Sequence, residues 1–159
     1  MAEIRAAILT ASDSRTIEDD LSGERLKEHL ISIGANVIEH QVVSDDLEEI
    51  VLSLRSLSER SDINLIITTG GTGLGPRDNT PEAALKVIVR EVPGIPEAMR
   101  RETSSKTPTA VLSRAVAGTR NGTLIINFPG SPKAIDECFD VIAPILPHAI
   151  RIVSGDTKH

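Results

Sequence analysis

An α/β fold, with a mostly parallel sheet and helices on both faces, is predicted by three observations. Apolar periodicity switches repeatedly between strand and helix spacing, as the crossover connections of a parallel sheet require. The run Leu65-Ile66-Ile67 is apolar without alternation, the mark of a strand buried on both faces. No internal repeat, linker or low-complexity segment interrupts the 159 residues, so a single domain over residues 1–159 is expected. A chain of that length buries roughly 70% of the surface it would expose unfolded.

The elements follow in order. Ile4 to Leu9 is a short strand, broken by Thr10-Ala11-Ser12-Asp13-Ser14-Arg15. Ser22 can cap a helix whose Leu26, Leu30 and Ile33 share one face, with Gly34 as its stop. Val37 to Val43 reads as a second strand. Asp46 and Glu49 have the spacing of an N-cap and its third-position partner, and Leu47, Ile50, Val51, Leu54 and Leu57 form the helical stripe behind them. Ile63 to Thr69 is the third strand, and Gly70-Gly71-Thr72-Gly73-Leu74-Gly75-Pro76-Arg77-Asp78-Asn79 follows it. Thr80 as N-cap, with Pro81 at the first helical position, starts a helix to about Val89. Helices over Pro96 to Thr103 and Pro108 to Ala117 are expected next, then a fourth strand over Thr123 to Phe128 ending in Pro129-Gly130-Ser131-Pro132. The last helix turns Ile135, Cys138, Phe139, Ile142, Leu146 and Ala149 inward, and Pro144 and Pro147 should kink or interrupt it. The tail from Ser154 to His159 is expected to fray.

Composition narrows the function. Two phenylalanines are the only aromatic residues, so stacking platforms for bases are nearly absent. A net charge of −6 argues further against nucleic acid or an anionic membrane as partner. Cys138 is the single cysteine, which excludes an intrachain disulfide and any Cys-based zinc motif. No signal-like start or membrane-length apolar stretch is visible, and a cytoplasmic location is expected. The four histidines lack ligand spacing, and Cys138 reads as packing.

The glycine-rich segment carries the strongest chemical signal. It leaves a buried strand and enters a helix, the place where parallel sheets bind ligands. Glycines there let backbone N–H groups approach an anion. The Walker A and dinucleotide patterns both fail, because the segment runs on to Gly75-Pro76-Arg77. It is a phosphate-binding candidate of another kind, or else a tight turn. Asp78 could serve the following helix start, or pair with Asp45 from the neighbouring loop to hold Mg²⁺ beside a phosphate. Ser12, Asp13 and Arg15 from the first strand's loop, and Ser131 and Lys133 from the fourth's, belong to the same edge. Asp13 could instead be a turn residue, Arg15 a solvated charge and Ser131 a plain cap. Four strand-end loops converging on one edge are the argument for an active site.

The segments Thr68-Thr69-Gly70-Gly71-Thr72-Gly73 and Arg77-Asp78-Asn79-Thr80-Pro81-Glu82-Ala83 resemble the signature of the MoaB/Mog family of molybdenum-cofactor biosynthesis. So do Ser12-Asp13-Ser14-Arg15, Asp20-Leu21-Ser22-Gly23, Pro108-Thr109-Ala110-Val111-Leu112-Ser113-Arg114 and Pro129-Gly130-Ser131-Pro132-Lys133-Ala134, which together span nearly the whole chain. The resemblance implies a three-layer sandwich, the molybdenum-cofactor biosynthesis protein fold, assembled as a homotrimer or a hexamer. It implies Mg²⁺-dependent adenylylation of molybdopterin with ATP as co-substrate, and a molybdate-insertion protein as recipient of the product. By the same resemblance Asp45 and Asp78 are the catalytic and metal residues. Thr10, Ser12, Gly70, Gly71, Thr72 and Gly73 would meet the nucleotide phosphates, and Asp13, Ser22, Arg77, Pro129, Gly130 and Ser131 the pterin substrate. The competing reading is a catalytically silent carrier of pterin or nucleotide in the same pathway.

Overall fold

The computed structural model describes residues 2–158, so Met1 and the tail residue His159 lie outside the described residues. Strand β1 (Arg5–Ala11) leads into α1 (Leu21–Ser32), β2 (Asn36–Val43), α2 (Leu47–Ser58), β3 (Leu65–Thr69) and α3 (Thr80–Val87). The second half comprises β4 (Arg90–Glu91), α4 (Gly94–Thr103), a 3-10 turn (Pro108–Leu112), β5 (Ala117–Arg120), β6 (Thr123–Phe128), α5 (Pro132–Ile142) and α6 (Leu146–Val153).

The six strands form one sheet in the order β2-β1-β3-β6-β5-β4. The first four are parallel, while at the far edge β5 pairs antiparallel with β6 and β4 antiparallel with β5. Alternation along the central strands divides the core. Ile8, Leu65, Ile67, Leu124 and Ile126 face α1, α4, α5 and α6, whereas Leu9, Ile66 and Ile125 face α2 and α3. The result is the expected three-layer sandwich. On the outer strand, Ala6 pairs with Val37 and Ala7 with Glu39, so Ile38 forms a bulge.

Several expectations are corrected. Helix α1 is capped by Asp20, whose carboxylate accepts from Gly23 N at 3.0 Å, and not by Ser22, which lies buried in the first turn. Thr80 is the first residue of α3 and not its cap, because Asn79 occupies that place and directs its amide to Asp45 O at 2.9 Å. Asp46 does cap α2, accepting from Glu49 N at 3.1 Å, while the Glu49 carboxylate takes its bond from Ser44. The helix expected over Pro108 to Ala117 is only the 3-10 turn Pro108–Leu112, and Ala117 already belongs to β5. After the 3-10 turn the backbone is extended, because Arg100 donates to Ser113 O and Ala115 O and Arg114 N donates to Thr72 O. Val111 and Leu112 stay exposed, so a helix there would have buried no apolar face. The last helix is broken as its prolines require, with α5 ending at Ile142 and α6 starting at Leu146. The tail is held at its start, since Ser154, Gly155 and Asp156 donate to carbonyls of α6. No helix among the described residues is long and apolar enough to cross a membrane.

Candidate functional site

The loops after β1, β2, β3 and β6 meet at the carboxyl edge of the parallel half of the sheet. Between β1 and β3 the chain's winding reverses direction, which leaves the crevice where such sheets bind ligands. Gly70 and Gly71 both adopt left-handed φ, at 91° and 69°. A Cβ on Gly70 would lie 2.6 Å from Ala11 O, and one on Gly71 would lie 2.3 Å from Thr80 Oγ1, so both positions exclude a side chain. Gly130 packs against Gly70 in turn, which brings the β6 loop onto the glycine-rich one. The Thr80 hydroxyl beneath Gly71 is buried without a hydrogen-bond partner.

The acidic residues named from the sequence come together. Asp13 N donates to Asp45 Oδ2 and Asp45 N donates to Asp13 Oδ1, each at 3.0 Å, a reciprocal pair that ties the β1 loop to the β2 loop. Arg77 reaches across with Nε and Nη2 at 3.1 and 2.8 Å from the Asp13 carboxylate. That hydrogen bonding holds the Asp13 carboxyl at about 2. Asp45 behaves oppositely. Burial pushes its carboxyl above the ordinary value, and the negative charges of Asp13 and Asp78 add to the rise. Asp78 accepts from Gly75 N at 2.9 Å and so closes its own loop. Carboxylates that repel one another beside backbone donors suit a divalent cation that also binds phosphate. The described residues contain no cluster of three or more metal-ligating side chains, so a cation here would complete its shell with water and substrate oxygens.

The remaining candidates divide. Ser131 caps α5, accepting from Ala134 N at 3.2 Å, and is exposed beside the site. Gly130 O is engaged by Ser22 Oγ and by both terminal nitrogens of Arg15, so Ser22 and Arg15 shape this loop from beneath. Pro129 O accepts from Thr69 Oγ1 at 2.9 Å. Ser12 Oγ caps its own turn, accepting from Ser14 N and Arg15 N. Thr10 is not open to a phosphate: it is fully buried and its hydroxyl donates to Asp20 Oδ2.

Two features went unassigned in the sequence. Arg114 donates from Nε to Gly73 O and from Nη2 to Asp78 O, each at 2.7 Å, clamping both ends of the glycine-rich turn. The motif Pro108 to Arg114 contained it, but only the fold supplies its acceptors. A buried network also links Asp20, His40 and Thr10, with His40 Nε2 2.8 Å from Asp20 Oδ2. Burial pushes the Asp20 carboxyl up, but bonds from His40, Thr10 and Gly23 N outweigh it and hold the group below its usual range.

Beside the loops lies a cleft of about 330 Å³, walled by Met99, Pro96 and Ala110 and flanked by Thr72, Gly73 and Ser131. Cys138 lines it, but burial, with the neighbouring Glu137 charge, pushes its thiol up to about 12, so it remains protonated. The site thus contains backbone donors, carboxylates and a pocket, with no activated nucleophile. It can bring bound anions together.

Residues 7–148 match the family described as "Probable molybdopterin binding domain". The molybdopterin adenylyltransferase of Helicobacter pylori is 41% identical, over 98% of this chain and 91% of that protein. Among solved structures, the molybdopterin biosynthesis enzyme MoaB from Thermus thermophilus is similar at 43% identity and a TM-score of 0.88, covering 96% of this chain and 97% of its own. The molybdopterin biosynthesis Mog protein from Mycobacterium ulcerans is similar at 36% identity and a TM-score of 0.87, covering 97% of this chain and 99% of its own.

Proposed function

The chain belongs to the MoaB/Mog family of molybdenum-cofactor biosynthesis, and from that premise we propose that it is a molybdopterin adenylyltransferase. A terminal phosphate oxygen of molybdopterin forms a bond to the α-phosphorus of ATP, the bond from that phosphorus to the bridging oxygen breaks, and pyrophosphate leaves. The observation that carries this reading is the meeting of the glycine-rich loop with Asp45 and Asp78 at the edge of a cleft. Such a transfer needs positioning and charge neutralisation more than a protein nucleophile.

Backbone N–H groups of residues 71–73 face the nucleotide phosphates in this reading, because Gly70 N already donates to Phe128 O, and Ser131 with the start of α5 receives the pterin phosphate. Asp45 and Asp78 would hold Mg²⁺, which when bound neutralises charge on the α-phosphate and on departing pyrophosphate. Arg77 stands over Asp13 and offsets the acidic field where the anions meet. A homotrimer is proposed as the assembly, with a molybdate-insertion protein as recipient of the adenylylated product.

The test is ATP turnover by purified protein with Mg²⁺, with and without molybdopterin. Pyrophosphate and adenylyl-molybdopterin formed only with the pterin present are the expected result. Saturable pterin binding without turnover would establish the carrier, and ATP consumption without pterin a hydrolase.

Two further outcomes are expected. Arg114→Ala frees both carbonyls of the clamp, so the KM for ATP should rise at least about tenfold, with a smaller change in molybdopterin affinity; steady-state kinetics against each substrate checks this. The second concerns acid. Asp45 must be ionised to hold the cation, and its raised carboxyl takes up a proton above the ordinary 3.8, so Mg²⁺ affinity should fall before that pH is reached. Asp45→Asn should weaken Mg²⁺ binding at neutral pH and abolish that acid limb, as titration calorimetry would read.

A further inference from the structure

His40 pairs in register with Ile8, on the face of the sheet that α1 covers, and adenylyl transfer leaves it without a role. Its side chain is 10% exposed, with Nε2 2.8 Å from Asp20 Oδ2 and Nδ1 3.8 Å from the Glu24 carboxylate. Packing alone asks for no polar group there, since Leu26 and Leu30 fill the same layer. The Asp20 carboxylate divides its partners. Oδ2 accepts from Thr10 and His40, while Oδ1 accepts from Gly23 N and lies 3.7 Å from Arg15 Nη1. Arg15 in turn donates to Ser22 Oγ at 3.0 Å, and to Gly130 O at 3.3 and 3.4 Å from its two terminal nitrogens. Those last two bonds are long, so a shift of Arg15 falls on them first. A Cβ on Gly130 would lie 3.3 Å from Gly70 Cα, so the place of Gly130 sets the gap between the β6 loop and the glycine-rich loop.

We propose that His40 is a positioning residue for adenylyl transfer, which acts through Asp20 and Arg15 to fix Gly130 and with it the spacing of the two anion-binding loops. This role rests on the functional reading above. A buried carboxylate is costly unless its lone pairs are filled, and His40 supplies a donor to Oδ2 beside Thr10. Without that donor the carboxylate draws on Arg15, the cation already 3.7 Å away, and the guanidinium leaves Gly130 O. Ser131, the next residue, then shifts relative to residues 71–73. Each anion still finds its own donors, so binding changes little. The two phosphates no longer meet at the right separation, and that loss falls on turnover.

The test measures kcat and the KM for ATP and for molybdopterin in wild type, His40→Leu, His40→Gln, Arg15→Ala and the double variant combining His40→Leu with Arg15→Ala. Leucine keeps bulk and removes the donor, whereas glutamine carries an amide nitrogen to the place of Nε2 and keeps it. His40→Leu should lower kcat at least about tenfold with both KM values within about threefold of wild type, and His40→Gln should recover most of the loss. The double variant should be no slower than the slower single one, because both substitutions act on the same turn. A lowered Tm with unchanged kcat per folded molecule in His40→Leu overturns the role and leaves His40 purely structural. Equal losses in the leucine and glutamine variants, a raised KM without a fall in kcat, or effects that multiply in the double variant overturn it as well, with the functional reading intact. Should His40→Leu not fold, His40→Asn, whose amide stops short of Asp20, is judged by the same outcomes. Wild type without turnover overturns the role and the functional reading together.

Discussion

Asp78→Asn should slow adenylyl transfer by at least about a hundredfold while molybdopterin affinity stays within about threefold of wild type. The substitution separates charge from shape. The asparagine carbonyl can still accept from Gly75 N, the bond that closes the loop at 2.9 Å in the native protein. Gly73 and Gly75 both lie against the Asp78 carboxylate, where an isosteric amide fits. What disappears is a negative charge beside Asp45, whose carboxyl is raised in part by that charge. The Asp45 pKa should therefore fall in the variant, and the Mg²⁺ concentration for half-maximal rate should rise. Pyrophosphate release over a Mg²⁺ series, beside pterin binding by fluorescence, separates these effects. Wild-type turnover in the variant would remove Asp78 from the reaction.

Gly23→Ala is expected to destabilise the fold by about 2–4 kcal/mol, although alanine is the better helix former by about 1 kcal/mol. The added Cβ would lie 2.2 Å from Asp20 Oδ2 and 2.3 Å from His40 Nε2. Neither atom can retreat without opening the buried network, since Asp20 also holds Thr10 and caps α1. At this chain length such a loss lowers Tm by roughly 5–15 °C. Gly94→Ala is the control, because a Cβ there meets nothing within 4 Å. The pH dependence has a definite sign. A carboxyl lowered by folding contributes stability above its unfolded value of 3.8 and loses it as pH falls through the folded value. Gly23→Ala should therefore flatten the acid-side slope, which thermal melts between pH 3 and 7 would detect.

The parallel half of the sheet was legible because each strand announces itself locally. Leu65-Ile66-Ile67 and Thr123 to Phe128 are apolar runs flanked by turn chemistry, and they became β3 and β6. The antiparallel margin was not. Arg90–Glu91 has two exposed charged residues, and Ala117–Arg120 has too little apolar pattern to be seen as a strand. The site divides similarly. Asp13, Asp45, Arg77 and Asp78 follow strand ends, so topology alone brings them together. Arg114 lies 41 and 36 residues from the two carbonyls it clamps, and His40 lies 20 residues from Asp20. Pairings at those separations leave no periodic trace. The cap of α3 was misplaced by one residue because Asn79 answers to Asp45 O, a partner in another loop.

The bulge at Ile38 bears on how these molecules behave in crowded solution. β2 borders the sheet, and a straight eight-residue margin would template a neighbour's strand. The unpaired residue bends that margin, and Glu39, joined to Arg60 at 2.7 Å, sets charge along it. The opposite margin offers only Arg90 and Glu91. Neither border gives a growing fibril a flat, uncharged surface, and both features disfavour the addition of a neighbour's strand.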